Sequence, residues 1–276
     1  MMISCKRKLI DLSTPRVMGI LNITPDSFYE GSRLKNADEA LKKTEQMLNE
    51  GADFLDVGGM STRPGSEVLN ENDELKRVIP VIEIILKNFP ETLISVDTWR
   101  SKVALEAVGA GAAIVNDISA GSLDPELFQT VAKLDVPYIL MHMQGTPQTM
   151  QQNPVYKDVV LEVNQFLSEK IFELRKLGVS DIILDPGFGF GKTIDHNYSL
   201  LKNLNLIGFG EFPILAGLSR KSMIKKLLDV DEKNALNGTT AVNMIALQNG
   251  ANILRVHDVK EAKQCVQIWQ ELKNSD

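Results

Sequence analysis

Residues 178–193 have the sequence GVSDIILDPGFGFGKT, which contains one complete unit of the predicted fold. A glycine that can end a helix precedes a short apolar run at 182–184, and this run ends in the carboxylate of Asp185. The glycines that follow let the backbone approach a ligand closely, and the phenylalanines between them offer flat apolar surface. Their spacing matches neither a Rossmann motif nor a P-loop. The stretch therefore predicts a strand that leads into a pocket floor; a tight turn whose glycines only relieve strain is the alternative.

The same unit recurs along the chain. Residues 51–56 (GADFLD), 111–116 (GAAIVN) and 250–255 (GANILR) each place a small residue and a short apolar strand between a glycine and a polar residue. The predicted strands are 17–21, 54–57, 93–96, 113–115, 138–141, 182–184, 214–216 and 253–256. Nearly continuous apolar strands are typical of parallel sheets that are buried on both faces.

We therefore expect an α/β protein with a single (β/α)8 TIM barrel and an active site at the C-terminal face of the strands. The domain covers 1–276, with a short N-terminal lead-in at 1–15. A doubly wound open sheet is the alternative. Between the strands lie amphipathic segments, of which 155–177 is the clearest, opened by Asn153 and Pro154 and closed by Gly178.

Composition excludes several classes of protein. The chain has 276 residues, 43% hydrophobic and 24% charged, as in a soluble globular protein with a substantial core. A net charge of -6 argues against binding to nucleic acid or to a membrane surface. Cys5 and Cys265 match neither a zinc pattern nor a disulfide framework. No signal peptide or membrane-spanning run is evident, so we expect a cytoplasmic protein.

Polar residues follow the predicted strands and would meet at one rim. Asp97, Asn116 and Asp185 form an acidic and amide set, which suits a planar heterocycle with amino and ring N–H donors, while Lys221 can donate to a ring carbonyl. Arg63, Arg255 and His257 form a basic set, which suits phosphate. The two sets together predict a flat ring carrying a phosphate or diphosphate. A rim of ordinary ion pairs is the alternative for any single residue.

Weaker signals surround this rim. Ser219 is expected to be the N-cap of a helix, where free N–H groups would bind a carboxylate, and an ordinary cap is the alternative. His142 can line the pocket, whereas His196 is expected to be a polar residue at a helix start. No triplet has the spacing of a zinc site, so Mg²⁺ held by an amide oxygen and substrate phosphates is more plausible.

Several long motifs resemble the dihydropteroate synthase family. They are 18–28 (MGILNITPDSF), 58–65 (GGMSTRPG), 141–147 (MHMQGTP), 185–193 (DPGFGFGKT), 219–222 (SRKS) and 255–258 (RVHD). They run in order from the first strand to the last and cover nearly the whole chain. The resemblance implies a pterin-binding barrel that condenses 6-hydroxymethyl-7,8-dihydropterin diphosphate with p-aminobenzoate in folate biosynthesis. Diphosphate would leave first, and the amine would then attack a pterin carbocation.

The resemblance also implies roles for individual residues. Pterin-binding residues would be Asp97, Asn116, Asp185, Gly189, Phe190 and Lys221. Diphosphate-binding residues would be Asn22, Thr62, Arg63, Arg255 and His257, with Asn22 also binding Mg²⁺. Phe28, Ser219 and Arg220 would meet p-aminobenzoate. The catalytic set would be Asp97, Arg63, Lys221, Arg255 and His257.

The family resemblance further implies a homodimer and inhibition by sulfonamides, which mimic p-aminobenzoate. The chain departs from many members at Met60, where they have Glu; we interpret this as variation in a loop, since Thr62 and Arg63 are both present. The loops 23–36 and 60–69 are expected to act as lids. Asp56 either supports Asn22 or is a buried polar residue of the barrel.

Three other functions fit parts of the pattern. A methyltetrahydrofolate methyltransferase would share the pterin-holding residues but has no need for Thr62, Arg63 or the pair of Arg255 and His257. A catalytically silent relative would bind pterin without turnover. A Schiff-base aldolase would use Lys221 and would require it to be buried with a lowered pKa.

Overall fold

The computed structural model describes residues 1–23, 33–59, 69–150 and 152–275, and for 33–37 it describes the backbone alone. The strands are β1 Met2–Cys5, β2 Lys8–Asp11, β3 Arg16–Asn22, β4 Phe54–Gly58, β5 Ile94–Asp97, β6 Ile114–Asp117, β7 Tyr138–Met141, β8 Ile182–Asp185, β9 Leu215–Ala216 and β10 Ile253–Val256. The helices are α1 Arg33–Asn49, α2 Glu71–Asn88, α3 Ser101–Gly109, α4 Leu127–Leu134, α5 Val159–Lys176, α6 Ile194–Lys202, α7 Ser222–Leu228, α8 Leu236–Gln248 and α9 Val259–Asn274. A 3₁₀ segment, Leu204–Gly210, follows α6.

Eight parallel strands form the barrel. Their order is β8-β7-β6-β5-β4-β3-β10-β9, so each strand lies beside its neighbour in sequence except where the ends of the chain meet at β3 and β10. Closure between β8 and β9 comes from a parallel bridge joining Leu184 to Ile214, and the Leu184 N–H donates to the carbonyl of Pro213 at 2.9 Å. The predicted (β/α)8 barrel is therefore confirmed, and the doubly wound alternative is excluded.

Two apolar regions result from strands that are buried on both faces. One lies between the strands and the surrounding helices and contains Val17, Val57, Val96, Val115 and Leu140. The other fills the lower part of the barrel interior with Met18, Phe54, Ile114, Ile139, Ile183, Leu215 and Ile253. These two sets face opposite ways because side chains alternate along a strand.

The hairpin β1–β2 covers the N-terminal end of the barrel. Ile3, Cys5 and Leu12 are fully buried against the interior apolar residues. The Ser4 N–H donates to Asp181 Oδ2 at 2.9 Å, which fixes the hairpin to the loop before β8. The segment 1–15, predicted only as a lead-in, thus completes the apolar core at the N-terminal end of the barrel, opposite the predicted active site.

The structure corrects the start of the longest predicted helix. α5 begins at Val159 rather than at 155, and its N-cap is Asp158, whose carboxylate accepts from the N–H groups of Val160 and Leu161. The Asn153–Pro154 pair, expected to open the helix, lies before this cap. The Asp158 carboxylate accepts from these free N–H groups, whereas the side chain of Pro154 has no acceptor. Within the described residues, no helix is long and apolar enough to cross a membrane.

Candidate active site

The polar residues of the rim form a layer directly above the interior apolar layer. Asp56 lies two residues after Phe54, Asn116 after Ile114, Asp185 after Ile183 and Arg255 after Ile253. Positions two apart in a strand point to the same face, so all four polar side chains enter the barrel interior. The convergence that the sequence predicted for Asn116, Asp185 and Arg255 therefore follows from strand geometry.

Strand register places three more site positions side by side. Asn22 pairs with Gly58, Gly58 with Asp97, and Asp97 with Asn116 across β3, β4, β5 and β6. A Cβ at Gly58 would lie 3.4 Å from the Asp97 Cβ and 3.5 Å from Asn22 Oδ1. The missing side chain at Gly58 thus lets the Asn22 amide and the Asp97 carboxylate lie close together.

Arg255 joins the acidic residues rather than standing apart from them in a separate basic set. Its Nε donates to Asp56 Oδ2 at 2.6 Å, and its Nη2 donates to Asp97 Oδ2 at 2.7 Å. Asp56 is fully buried, and Asp97 is 7% exposed. One guanidinium therefore compensates two carboxylates that burial would otherwise make costly.

Asp56 also orients the amide of Asn116. The Asn116 Nδ2 donates to Asp56 Oδ2 at 3.0 Å, which leaves the carbonyl oxygen of Asn116 as the group available to accept from a ligand. Of the two roles considered for Asp56, the buried polar residue of the barrel is the one seen. Sequence inspection missed its contacts with Asn116 and Arg255, although its position two residues after Phe54 was a usable signal.

Removing the carboxylate of Asp56 should destabilise the protein, because both Asn116 and Arg255 lose a hydrogen-bond acceptor. Asp56→Ala is expected to lower the free energy of unfolding by about 1.5–3 kcal/mol, because a charged hydrogen bond is lost and Arg255 keeps only Asp97. Urea denaturation measures this change. Asp195→Ala, at an exposed carboxylate on α6, is the control and should shift stability by less than about 1 kcal/mol. Equal shifts in the two variants would contradict the assigned contacts.

Burial and neighbouring charges set the ionisation of the acidic residues. Burial raises the pKa of Asp97, Arg255 opposes the rise, and Asp56 adds to it. Burial likewise raises the pKa of Asp185, with Lys221 as the main opposing charge. The net effect raises the pKa of Asp97 to about 7, and the hydrogen bond that Arg255 donates to Asp97 favours the ionised carboxylate.

The glycine-rich turn after β8 forms one wall of the site. Gly187 has φ +69°, and a Cβ there would lie 1.8 Å from the His142 carbonyl oxygen, so only glycine fits. Its N–H donates to Asp185 Oδ1 at 2.7 Å, and the turn thereby holds a predicted pterin-binding carboxylate. The Gly189 N–H donates to Asn197 Oδ1 at 2.6 Å, which fixes the turn to α6.

Lys221 reaches across to the same turn. Its ammonium donates to the Phe188 carbonyl and lies 4.5 Å from the centroid of the Phe190 ring. A Cβ at Gly189 would lie 3.1 Å from Lys221 Cδ, so the glycine makes room for this side chain. Gly189, Phe190, Asp185 and Lys221, predicted as pterin-binding residues, are therefore brought together.

The ionisation of Lys221 predicts a pH dependence. Burial lowers the pKa of Lys221 to about 8, although Asp185 raises it. The ammonium is the better donor, so affinity for the pterin substrate should fall as pH rises through about 8. We expect a loss of about tenfold between pH 7 and pH 9 from proton linkage. Calorimetric titration checks this, and an undiminished pH slope in Lys221→Met would contradict it.

The segment after β9 differs from its prediction. α7 begins at Ser222 with Lys221 at the N-cap position, so the prediction that Ser219 is the N-cap is wrong. The Ser219 hydroxyl instead lies 3.0 Å from the ring atom His257 Nδ1, and it accepts from the backbone N–H of His257 at 3.2 Å. Two residues that the sequence assigned to different substrates are thus in direct contact.

Arg220 is held by a carboxylate of the next loop. Its Nε donates to Asp258 Oδ2 at 3.0 Å, and a second contact joins the guanidinium to Oδ1. Its φ of +57° is uncommon for a residue other than glycine, and strained backbone of this kind clusters at functional sites. The Arg220 N–H donates to Thr239 Oγ1 at 3.1 Å, which helps to hold this conformation.

The histidines have the positions that their sequence contexts suggested, with one addition. His196 is the third residue of α6 and forms a capping box with Thr193. His142 is buried at the end of β7, where its ring meets Phe166 at 4.9 Å between centroids. Lys192, which sequence reasoning passed over, is 4% exposed and lies 2.9 Å from His142 Nδ1.

Several predicted residues lie outside the described residues. They are Phe28, Met60, Thr62 and Arg63, together with most of the two expected lid loops. Within the ranges that are described, no group of three His, Cys, Asp or Glu side chains is placed to hold a metal ion. Asn22, the predicted magnesium ligand, has an exposed side chain at the end of β3.

Comparison with known proteins agrees with this geometry. Residues 18–257 match the family described as pterin binding enzyme. The dihydropteroate synthase of Haemophilus influenzae is 44% identical over 277 residues, and the match covers 100% of both chains. The structure of Yersinia pestis dihydropteroate synthase with a sulfonamide drug complex is similar with a TM-score of 0.93 and 42% identity, over 100% of both chains. That of Xanthomonas albilineans dihydropteroate synthase in complex with 7,8-dihydropteroate has a TM-score of 0.88 and 38% identity, also over 100% of both.

Proposed function

Because the chain belongs to the pterin-binding enzyme family, we propose that it is a dihydropteroate synthase, a transferase of folate biosynthesis. It condenses 6-hydroxymethyl-7,8-dihydropterin diphosphate with p-aminobenzoate and releases 7,8-dihydropteroate and diphosphate. The observation that carries this proposal is the polar layer inside the barrel, where Asp97, Asn116 and Asp185 are buried above an apolar floor. Near-full-length similarity to dihydropteroate synthases supports the same activity.

The pterin ring fits the donor and acceptor pattern of this layer. Carboxylates at Asp97 and Asp185 and the amide oxygen of Asn116 accept from the ring's amino and N–H groups. Lys221 donates to the ring carbonyl, and Phe190 with Gly189 lies against its face. Each buried acceptor gains a hydrogen-bond donor when the ring binds, so the site should bind this substrate more tightly than one without donors.

The reaction begins when the bond between the pterin methylene carbon and the diphosphate oxygen breaks. Diphosphate leaves with the bonding electrons, and the electron-rich ring delocalises the resulting cation. The carboxylate of Asp97 stabilises that positive charge, and Arg63, Arg255 and His257 stabilise the leaving group. The amine of p-aminobenzoate then attacks the methylene carbon, and its surplus proton passes to water. No covalent bond to the enzyme is required.

Magnesium is proposed as a cofactor held by few protein atoms. The exposed amide oxygen of Asn22 at the strand end suits a hard cation that keeps most of its ligands as water and phosphate oxygens. When bound, the ion would neutralise charge on the diphosphate as it leaves. Thr62 and Arg63 are proposed to hold the same group.

The second substrate is proposed to meet Phe28, Ser219 and Arg220. Sulfonamides are proposed to bind there as inhibitors; the similar Yersinia pestis dihydropteroate synthase was solved with a sulfonamide drug complex. In this chain, Ser219 contacts His257 and Arg220 contacts Asp258. The carboxylate of p-aminobenzoate would therefore accept from N–H or O–H groups of Ser219 and Arg220 that these contacts do not use.

We also propose a homodimer formed by helices of the barrel wall. Exposed large apolar side chains occur on α7, on α8 and on the 3₁₀ segment after α6, namely Leu206, Phe209, Leu227, Leu228 and Ile245. Pairing with a second copy would bury such side chains. Sedimentation velocity tests it: Phe209→Asp with Leu227→Asp should give a monomer, whereas Leu161→Asp on α5 should not. A monomeric unmodified chain would contradict the proposal.

The activity is tested by one assay. Purified protein is mixed with both substrates, with and without Mg²⁺, and diphosphate release and dihydropteroate formation are followed together. Equal molar amounts of both products, formed only when both substrates and Mg²⁺ are present, are expected. Pterin binding without product would instead identify a catalytically silent relative.

One alternative has an observation in its favour. The lowered pKa of Lys221 meets the requirement of a Schiff-base aldolase. Borohydride treatment in the presence of a carbonyl substrate distinguishes the two functions, because only an aldolase would be trapped as a covalent adduct on Lys221.

A further inference from the structure

Lys192 is a buried cation that the proposed reaction does not use. Its side chain is 4% exposed, although lysine is rarely buried without a carboxylate partner. The Lys192 Nζ lies 2.9 Å from the Gly187 carbonyl oxygen, 3.0 Å from that of Phe190 and 2.9 Å from His142 Nδ1. The His142 carbonyl oxygen is a fourth neighbour at 3.4 Å. The carbonyl oxygens are acceptors, and the imidazole nitrogen accepts when the ring proton is on Nε2.

The contacts of Lys192 span the turn that carries two proposed pterin groups. Gly187, whose carbonyl Lys192 holds, donates its N–H to Asp185 Oδ1 at 2.7 Å. The Phe188 carbonyl of the same turn accepts from the Lys221 ammonium. Lys192 thus holds the same turn that Asp185 and Lys221 contact through Gly187 and Phe188.

We propose that Lys192 is a positioning residue for pterin binding, whose ammonium holds the turn 187–190 against the end of β7 so that Asp185 and Lys221 keep their places. The proposal rests on the proposed function, since it assumes that these two groups meet the pterin. Lys192 itself touches no substrate.

The charged form of Lys192 is what the geometry needs. An ammonium has three N–H donors, which match the two carbonyls and the imidazole nitrogen, whereas a neutral amine has only two. Since His142 Nδ1 accepts from Lys192, the neutral ring carries its proton on Nε2. Burial lowers the pKa of His142 to about 2, so this acceptor stays available at working pH.

The charge on Lys192 is sensitive to pH near neutrality. Burial lowers its pKa to about 7, Asp185 raises it, and Lys221 lowers it further. The other titratable groups near the turn are His142 at the end of β7, Tyr156, whose hydroxyl donates to the Gly191 carbonyl at 2.8 Å, and His196 of α6, whose ring meets Tyr156. Rising pH removes the third donor, so any contribution of Lys192 to pterin affinity should shrink.

The test compares affinities at two pH values in the full chain. Calorimetry measures binding of 6-hydroxymethyl-7,8-dihydropterin diphosphate to the unmodified protein, Lys192→Met and Lys192→Gln at pH 6.5 and pH 8.5. Lys202→Met, the same change at an exposed lysine of α6, is the matched control. At each pH, the affinity of the unmodified protein is divided by that of the variant. This ratio reports the contribution of Lys192, because Asp97, Asp185 and Lys221 are present in the unmodified protein and in all the variants.

We expect Lys192→Met to weaken binding about tenfold or more at pH 6.5 and clearly less at pH 8.5, from the loss of a charged hydrogen-bond donor. Lys192→Gln should fall between, and Lys202→Met should match the unmodified protein. A ratio near one at both pH values, a ratio that does not change with pH, or failure of both Lys192 variants to fold would overturn the proposal. If the unmodified protein binds no pterin diphosphate, the proposed function fails instead.

Discussion

Asp97→Asn should lower the single-turnover rate of dihydropteroate formation by about 100- to 1,000-fold, the usual effect of removing one electrostatic group from a reacting centre. The side chain keeps its shape and can still accept a hydrogen bond, but the negative charge beside the developing cation is lost. Arg255 still has Asp56 as its partner at 2.6 Å, so the fold should persist. Pterin affinity should therefore change much less than the rate.

Rapid-quench kinetics with enzyme in excess measures the chemical step, and calorimetry measures pterin binding separately. Asp195→Asn, at an exposed site on α6, is the matched control and should leave both unchanged. If the chemical step stayed normal while pterin affinity collapsed, Asp97 would be a binding residue only, and its role toward the cation would be wrong.

Arg255→Ala should reduce both stability and turnover. The guanidinium contacts Asp56 and Asp97, and removing it leaves two buried carboxylates without their cation. Breaking a buried ion pair in this way costs about 3–5 kcal/mol, a large fraction of the stability of a folded domain. Turnover should fall at least about 10- to 100-fold, because the leaving diphosphate also loses a charged donor.

Urea denaturation and steady-state kinetics at a temperature where the variant is folded separate the two effects. Arg175→Ala on α5 is the control, since that side chain is exposed and lies over the Phe212 ring rather than against a residue of the site. Because Arg255 opposes the rise in the pKa of Asp97, its removal should raise that pKa, and activity of the variant should require a higher pH than that of the unmodified protein. Unchanged turnover would remove Arg255 from the site.

Much of the fold could be predicted because strand and turn signals repeat along the chain. A glycine, a short apolar run and a polar residue mark each unit, and period-two alternation then puts Asp56, Asn116, Asp185 and Arg255 on the interior face. That inference needs no tertiary information. It identifies which residues converge, but not which of them contact each other.

The missed contacts depend on side-chain geometry that a linear pattern does not contain. The sequence placed Arg255 with the phosphate-binding residues because guanidinium suits phosphate, whereas the side chain bridges Asp56 and Asp97. Ser219 was expected to cap α7, but its hydroxyl lies against His257, which follows β10 and is 38 positions later in the chain. These partners are brought together by the pairing of strands that are far apart in the sequence, which local propensity cannot encode.

Lys192 shows a different limit of prediction from sequence. In the sequence it follows the last glycine of the turn and resembles an ordinary solvated lysine. Only the path of the turn reveals that carbonyls of Gly187 and Phe190 point at its ammonium. α5 was misplaced for a simpler reason, because Pro154 is a typical helix opener while the actual cap, Asp158, is four residues further on.

A crystal structure of the chain with 6-hydroxymethyl-7,8-dihydropterin diphosphate tests the central claim most directly. The pterin ring should lie inside the top of the barrel, with its N–H and amino groups on Asp97, Asn116 and Asp185 and its carbonyl on Lys221. Its diphosphate should lie towards Asn22 and His257. A ring bound outside this layer, with the three acceptors still facing only protein, would contradict the account.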